Sequence, residues 1–431
     1  MKILHVLFLC FVFFWGFSAH AVSIIRDTEI EETVTGWAKK IFKAVNLPPE
    51  NAEIVLVNDP SINAFVVGGQ TIFVHTGLLT QATSIDDVMF VLSHETGHIV
   101  GGHITRGITA MEKAKTTTLI STILGGILAV AAGRPDAGIA IMIGSQGSAL
   151  GQFLTYRQTE ESSADRIAVD VMKKLGYSMQ GFVNIMQHLR RLERLNDESD
   201  LGYLRTHPMT QSRVHDLGRF TENAPPVKKD PMFERIKAKL IGFMQKPQDV
   251  LNHYKGNTFS DRYAQAIAFY QMHDLNKSFQ LLDTLIKEKP NDPYLYEMKG
   301  QFSFEKGFID EAIKNYEQAN KIKPHQPLIE LALAQAYLEK DDTNLAQKAL
   351  PILSRATVEE PDLALGWRLM ATAYNKLGKD LESDYAMAEY ERASNKLPAA
   401  QKRAKKLIEH FNKQSPYYQK LQDIIALKEE E

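Results

Sequence analysis

Cysteine is almost missing from these 431 residues, and the single one is Cys10. That excludes an internal disulfide and any zinc site built on thiolates. A surplus of either charge is missing too, since 50 Lys and Arg face 52 Asp and Glu for a net charge of −2. Nothing in that balance suits a nucleic-acid partner. The apolar runs are also short for a bilayer, which needs about 20 residues per helical span. What is present is ordinary folded-protein composition, 44% hydrophobic and 24% charged, in a chain long enough for two or three domains. Any metal chemistry must therefore rest on histidine and carboxylate.

The first stretch reads as a leader. Lys2 precedes an apolar run over 3–17, broken only by His5 and Gly16, and Ala19-His20-Ala21 follows. That is the order of a secretory signal peptide, with cleavage expected after Ala21. The mature chain would keep 431 − 21 = 410 residues and, having lost only Lys2, a net charge of 49 − 52 = −3. An exported chain without disulfides suits the bacterial periplasm. The expected organisation is a leader over 1–21, a first domain over 22–222, a linker over 223–231 and a second domain over 232–431.

The two halves differ in pattern. Asp27–Val45 has helical spacing and stops before Pro48-Pro49. Short β-branched runs follow at Glu53–Asn58, Ala64–Val67 and Thr71–His75, the last two joined as a hairpin across Gly68-Gly69. Ser84 with Asp87 three residues on opens a helix, whose Ile85, Val88, Met89, Leu92 and Ile99 line one face. The stretch over 222–231 carries three prolines and no periodicity, as a linker does. Beyond it, Pro290, Pro324 and Pro361 recur at intervals of 34 and 37 residues. Gly300, Gly307, Ala312, Tyr316 and Ala319 between the first two, then Ala334, Tyr337 and Ala346, and Trp367, Tyr374 and Gly378 in the units that follow, fall at tetratricopeptide-repeat offsets. Small residues let paired helices approach and aromatics fill the seam, so an all-α solenoid that binds protein partners is expected.

The chemistry concentrates in His94-Glu95-Thr96-Gly97-His98. Residues four apart on a helix differ by about 40° and 6 Å, so both imidazoles face one side and can hold one zinc ion. Glu95 sits where it can take a proton from a metal-activated water. An extended H-E-x-x-H-x-x-G-x-x-H motif fails, because Gly101 fits but Ile104 stands in the last place. On a continuing helix His103 would point away from His94. A carboxylate from a second helix must complete the set, and Glu160-Glu161-Ser162-Ser163-Ala164-Asp165 offers one. Glu161 and Asp165 share a face, so one can bind the metal while the other holds a ligand imidazole, with Glu160 a competitor.

The runs NAFVVGGQTIFVHTGLL, SHETGHIVGGH, ESSAD and THP together resemble the HtpX-like zinc peptidases, and the repeat half resembles their exported branch, the BepA-type periplasmic protease–chaperones. The resemblance implies an α+β zincin-type metallopeptidase domain, mostly helical with a small sheet, ahead of the repeats. It implies one zinc per chain on His94, His98 and Glu161, Glu95 as general base and Asp165 supporting a ligand. It also implies an edge strand at Asn63, Ala64 and Phe65 that aligns substrate. His207, in Thr206-His207-Pro208, matches a residue that approaches the metal, either as a fourth ligand that shuts the site or as a donor to the oxyanion. The apolar pieces over 119–132 and 139–150 read as a packed hairpin or a peripheral membrane contact. The expected function is hydrolysis of misfolded or stalled envelope proteins, with chaperone activity in outer-membrane assembly; the alternative is a repeat scaffold whose metal site is normally closed.

Overall fold

A computed structural model describes residues 24–67, 69–106, 158–194, 207, 211–221 and 225–427. The leader over 1–21 and the apolar segment over 119–150 lie outside the described residues, as do Gly68, Thr206 and Pro208. Asp27 opens α1 (Thr28–Ala44), its carboxylate accepting the Ile30 amide at 2.9 Å. The apolar face of α1, Ile30, Val34, Trp37, Ala38, Ile41 and Phe42, is buried in the first of the cores.

A four-stranded sheet follows: β1 (Ile24–Ile25), β2 (Glu53–Val57), β3 (Ala64–Val66) and β4 (Thr71–His75), in the order β1-β2-β4-β3. β2 and β4 are parallel, whereas β3 returns antiparallel onto β4 as the hairpin pattern predicts. β3 is therefore an edge strand. The loop that feeds it is clamped: Thr76 Oγ1 and the Gly77 amide both donate to the Asp59 carbonyl at 2.9 Å. Gly77 lies so close that a Cβ would meet the Pro60 carbonyl oxygen at 2.1 Å.

After α2 (Thr76–Gln81), Ser84 and Asp87 form the expected capping box at the start of α3 (Ile85–Gly101). The periodicity suggests one apolar face, yet every residue from Ile85 to His98 is buried. The helix is enclosed by α1, β3, α4 (Gln158–Leu175) and α5 (Gln180–Arg194). Gly97 is what lets α4 come so near, for a Cβ there would stand 2.8 Å from Ala164 Cα. At the other end, buried Asp86 accepts the Ser178 amide at 2.5 Å and the Lys228 amide at 2.8 Å. It thereby ties the stretch over 225–230, which has neither helix nor strand, to the N-terminus of α3.

α6 (Gln211–Gly218) precedes that stretch and α7 (Pro231–Met244) follows it. α7 gives Phe233, Ile236 and Leu240 to the core shared with α1 and the sheet. Thereafter α8 (Pro247–His253), α9 (Phe259–Gln271), α10 (Leu275–Glu288), α11 (Pro293–Glu305) and α12 (Ile309–Ile322) pack largely on their neighbours in sequence. The same holds for α13 (Pro327–Glu339), α14 (Thr343–Glu359), α15 (Ala364–Lys376), α16 (Asp380–Ala393), α17 (Leu397–Leu407) and α18 (Pro416–Ala426). The small-residue and aromatic logic is visible at Gly300 on α11, where a Cβ would meet the Tyr316 ring of α12 at 2.9 Å. Among the described residues no helix is long and apolar enough to cross a membrane.

A row of charges joins the halves. Arg26 pairs with Glu360 at 3.0 Å, and Lys239 with Asp27 at 2.6 Å. Fully buried Glu29 contacts Arg235, Lys239 (3.0 Å) and the Tyr263 hydroxyl (2.7 Å), while Glu32 meets Lys323 at 2.5 Å and the Tyr294 hydroxyl. One edge of α1 is thus fastened along successive helices of the second half.

Candidate metal centre

His94 and His98 stand one turn apart on α3, and Glu161 faces them from the first turn of α4. His207 reaches the same point from outside both helices. One donor atom from each of these four buried residues lies within 4.8 Å of all the others. The Nε2 atoms of His94 and His98 are 3.1 Å apart, and each is 3.4 Å from a Glu161 oxygen. His207 Nδ1 is 3.1 Å from Glu161 Oε1 and 3.3 Å from His94 Nε2. Donor atoms crowded this closely away from water could hold a metal ion, and three imidazoles with one carboxylate are a donor set that suits zinc.

Electrostatics follow from the crowding. Burial alone would depress the His94 imidazole, but Asp165 and Glu161 beside it prevail and push it up to about 10. Burial also drives His98 well below its ordinary value, with His94 and His207 adding to the effect against Glu161. Burial opposes ionisation of Glu161, yet His207, His94 and His98 around it hold that carboxyl far below the usual carboxylate range. Glu95 is wholly buried, and burial raises its carboxyl above the ordinary value despite His207 and His94 nearby. Neither Glu95 oxygen accepts a hydrogen bond among the described residues, although Oε1 is 3.3 Å from His207 Nε2.

Of the remaining residues singled out in the sequence, Asp165 has Oδ1 3.0 Å from His94 Nδ1, on the ring side away from the cluster. Glu160 is outside the cluster, 3.6 Å from Arg106. Asn63 is buried immediately before β3, its carbonyl accepting the His75 amide at 3.1 Å, and Ala64 and Phe65 pair with Val74 and Phe73. Two residues escape the sequence reading. Arg213 on α6 grips both Asp165 oxygens (2.7 and 2.8 Å) and lies 2.7 Å from Glu161 Oε2. No local motif marks it. His103 is the other: α3 does not continue past Gly101, because Gly102 turns left-handed at φ +62°. A new helical turn begins at His103, whose ring rests against His98 and stays outside the four-donor cluster.

Residues 25–221 match the model of peptidase family M48. The chain is 24% identical over 361 residues to an Escherichia coli protein named beta-barrel assembly-enhancing protease, covering 81% of this chain and 73% of that one. The Yersinia pestis protein of the same name is 26% identical over 388 residues, 88% of this chain and 79% of its own. The bovine mitochondrial metalloendopeptidase OMA1 is 30% identical over 213 residues, 46% of this chain and 40% of its own. With four metal-donor residues brought together inside it, the segment over 25–221 is a peptidase family M48 domain, and it makes the chain a metalloendopeptidase.

Proposed function

We propose that this chain is an exported, zinc-dependent endopeptidase that cleaves misfolded or stalled proteins in the cell envelope and assists outer-membrane β-barrel assembly. The observation that carries the reading is the convergence of His94, His98, Glu161 and His207 beside a fully buried Glu95 whose oxygens accept no hydrogen bond among the described residues. In this reading a zincin-type domain over 22–222 is followed by a linker over 223–231 and tetratricopeptide repeats over 232–431. The periplasm is its compartment after cleavage of the leader, and the apolar segment over 119–150 is a candidate for peripheral membrane contact. The name of the similar E. coli and Y. pestis proteins supports the assembly role, and the stacked helices beyond α8 suit protein partners.

His94, His98 and Glu161 would hold the zinc, with Asp165 fixing the His94 ring. When bound there, zinc supplies a Lewis acid that polarises the scissile carbonyl and acidifies a water. Glu95 takes that water's proton and returns it to the departing amide nitrogen, a task suited to a carboxyl whose basicity burial has raised. The backbone of Asn63, Ala64 and Phe65 at the sheet edge would align an extended substrate by strand addition.

His207 favours a closed resting state. Its Nδ1 stands among the donors while its Nε2 faces Glu95, so one ring fills the coordination position and blocks the base together. In that state the chain acts chiefly as a repeat-bearing chaperone or scaffold. Casein cleavage by the purified mature chain tests both readings. Activity should require Glu95 and bound zinc, and His207→Ala should exceed wild type. Equal cleavage by Glu95→Gln would overturn the proposed chemistry, whereas an inactive His207→Ala with full zinc would make His207 a donor to the oxyanion instead of a lock.

A further inference from the structure

Resting on the zinc reading above, the geometry points to His103 as the residue that positions the metal ligand His98. His103 Nδ1 is 2.7 Å from His98 Nδ1, the ring nitrogen turned away from the donor cluster, with the two rings nearly perpendicular at 76°. Two consecutive glycines make this approach possible. Gly102 takes the left-handed turn that ends α3, and Gly101 has no Cβ, which would otherwise stand 2.3 Å from His103 Nε2. His103 is itself buried, so the contact is sheltered from water.

The tautomers follow from the chemistry. A His98 that gives its Nε2 lone pair to a metal carries its proton on Nδ1, and that N–H needs an acceptor. His103 Nδ1 lies within hydrogen-bond reach at 2.7 Å, and in this pairing it accepts while His103 keeps its own proton on Nε2. The two α3 ligands are then supported unequally. His94 Nδ1 faces the carboxylate of Asp165 at 3.0 Å, which Arg213 anchors in turn, whereas His98 leans on a neutral ring. An acceptor of this kind fixes ring orientation and raises ligand basicity, and its loss typically costs 10–100-fold in metal affinity.

The test is zinc affinity of the full mature chain by competition with a chromophoric chelator. Three proteins are compared: wild type, His103→Phe, which keeps a ring but offers no acceptor, and His103→Asn, whose amide oxygen can replace Nδ1. His103→Phe should bind zinc roughly 10–100-fold more weakly, and His103→Asn should recover most of that loss. Wild-type affinity in His103→Phe would overturn the assignment. So would equal losses in both variants, which would reduce His103 to packing. A wild-type chain that binds no zinc would instead sink the metal reading itself.

Discussion

Glu29→Ala is the sharpest probe of how the two halves are joined. Glu29 belongs to α1 and is fully buried, yet its partners Arg235, Lys239 and Tyr263 all lie beyond residue 230. Removing one member of a buried ion pair typically costs 3–5 kcal/mol, because the other charge stays buried without it. Here both cations keep a second carboxylate, Asp292 for Arg235 and Asp27 for Lys239. The lower end therefore applies, about 3 kcal/mol. Trp37 and Trp367, buried in the first and second halves, report on each half by fluorescence during urea unfolding once the other is replaced by Phe. The wild-type transitions should coincide, and Glu29→Ala should separate them, the half bearing Arg235 and Lys239, each left with one carboxylate, melting at lower urea. Burial opposes ionisation of Glu29, but Lys239 and Arg235 prevail and lower its pKa. The folded state thus binds fewer protons than the unfolded one, so this contribution is complete above the ordinary carboxylate pKa and drains away as pH falls. A loss below about 1 kcal/mol with coincident transitions would show that the charge row decorates an interface held by apolar packing.

Other perturbations read other parts of the molecule. Gly97→Ala should force α3 and α4 apart at Ala164, costing about 1–3 kcal/mol and weakening zinc binding together; unchanged chelator competition would refute the coupling. Glu297 is pushed up to about 8 by burial, with Asp27, Glu29 and Glu32 nearby and Lys239 opposing. Its folded pKa exceeds its unfolded one, so stability should fall as pH rises from about 4.5 to 8; Glu297→Gln should gain melting temperature at pH 9 and little at pH 4, and an equal gain at both would refute it. Asp86→Ala leaves the buried Ser178 amide and the part-buried Lys228 amide without their acceptor and should cost about 1–3 kcal/mol in urea unfolding, with faster hydrogen exchange at Lys228 as the specific sign.

The sequence makes some of this molecule legible and hides the rest for identifiable reasons. The capping box at Ser84, the hairpin of β3 with β4 and the spacing of His94 and His98 are local, and local rules find them. Glu161 is foreseeable as a carboxylate on a second helix, although choosing it over Glu160 requires the family resemblance. The burial of α3 on all sides is not legible, because its residues alternate in polarity for chemistry rather than for solvent. His103 is missed by extending α3 one turn too far, even though Gly101-Gly102 carries the signal of a helix end. Arg213 and the allegiance of α7 to the first core depend on contacts across dozens of residues, and no periodicity announces those.

The contact between Gly97 and Ala164 also decides which parts of the centre are free to rearrange. Two helices in backbone contact behave as one beam, and His94, His98 and Glu161 are all bolted to it. The spacing of the backbone that carries them is a property of that crossing. His207 alone arrives from off the beam. On the zinc reading, going from four protein donors to three is therefore the displacement of one side chain past a tripod whose backbone stays in place.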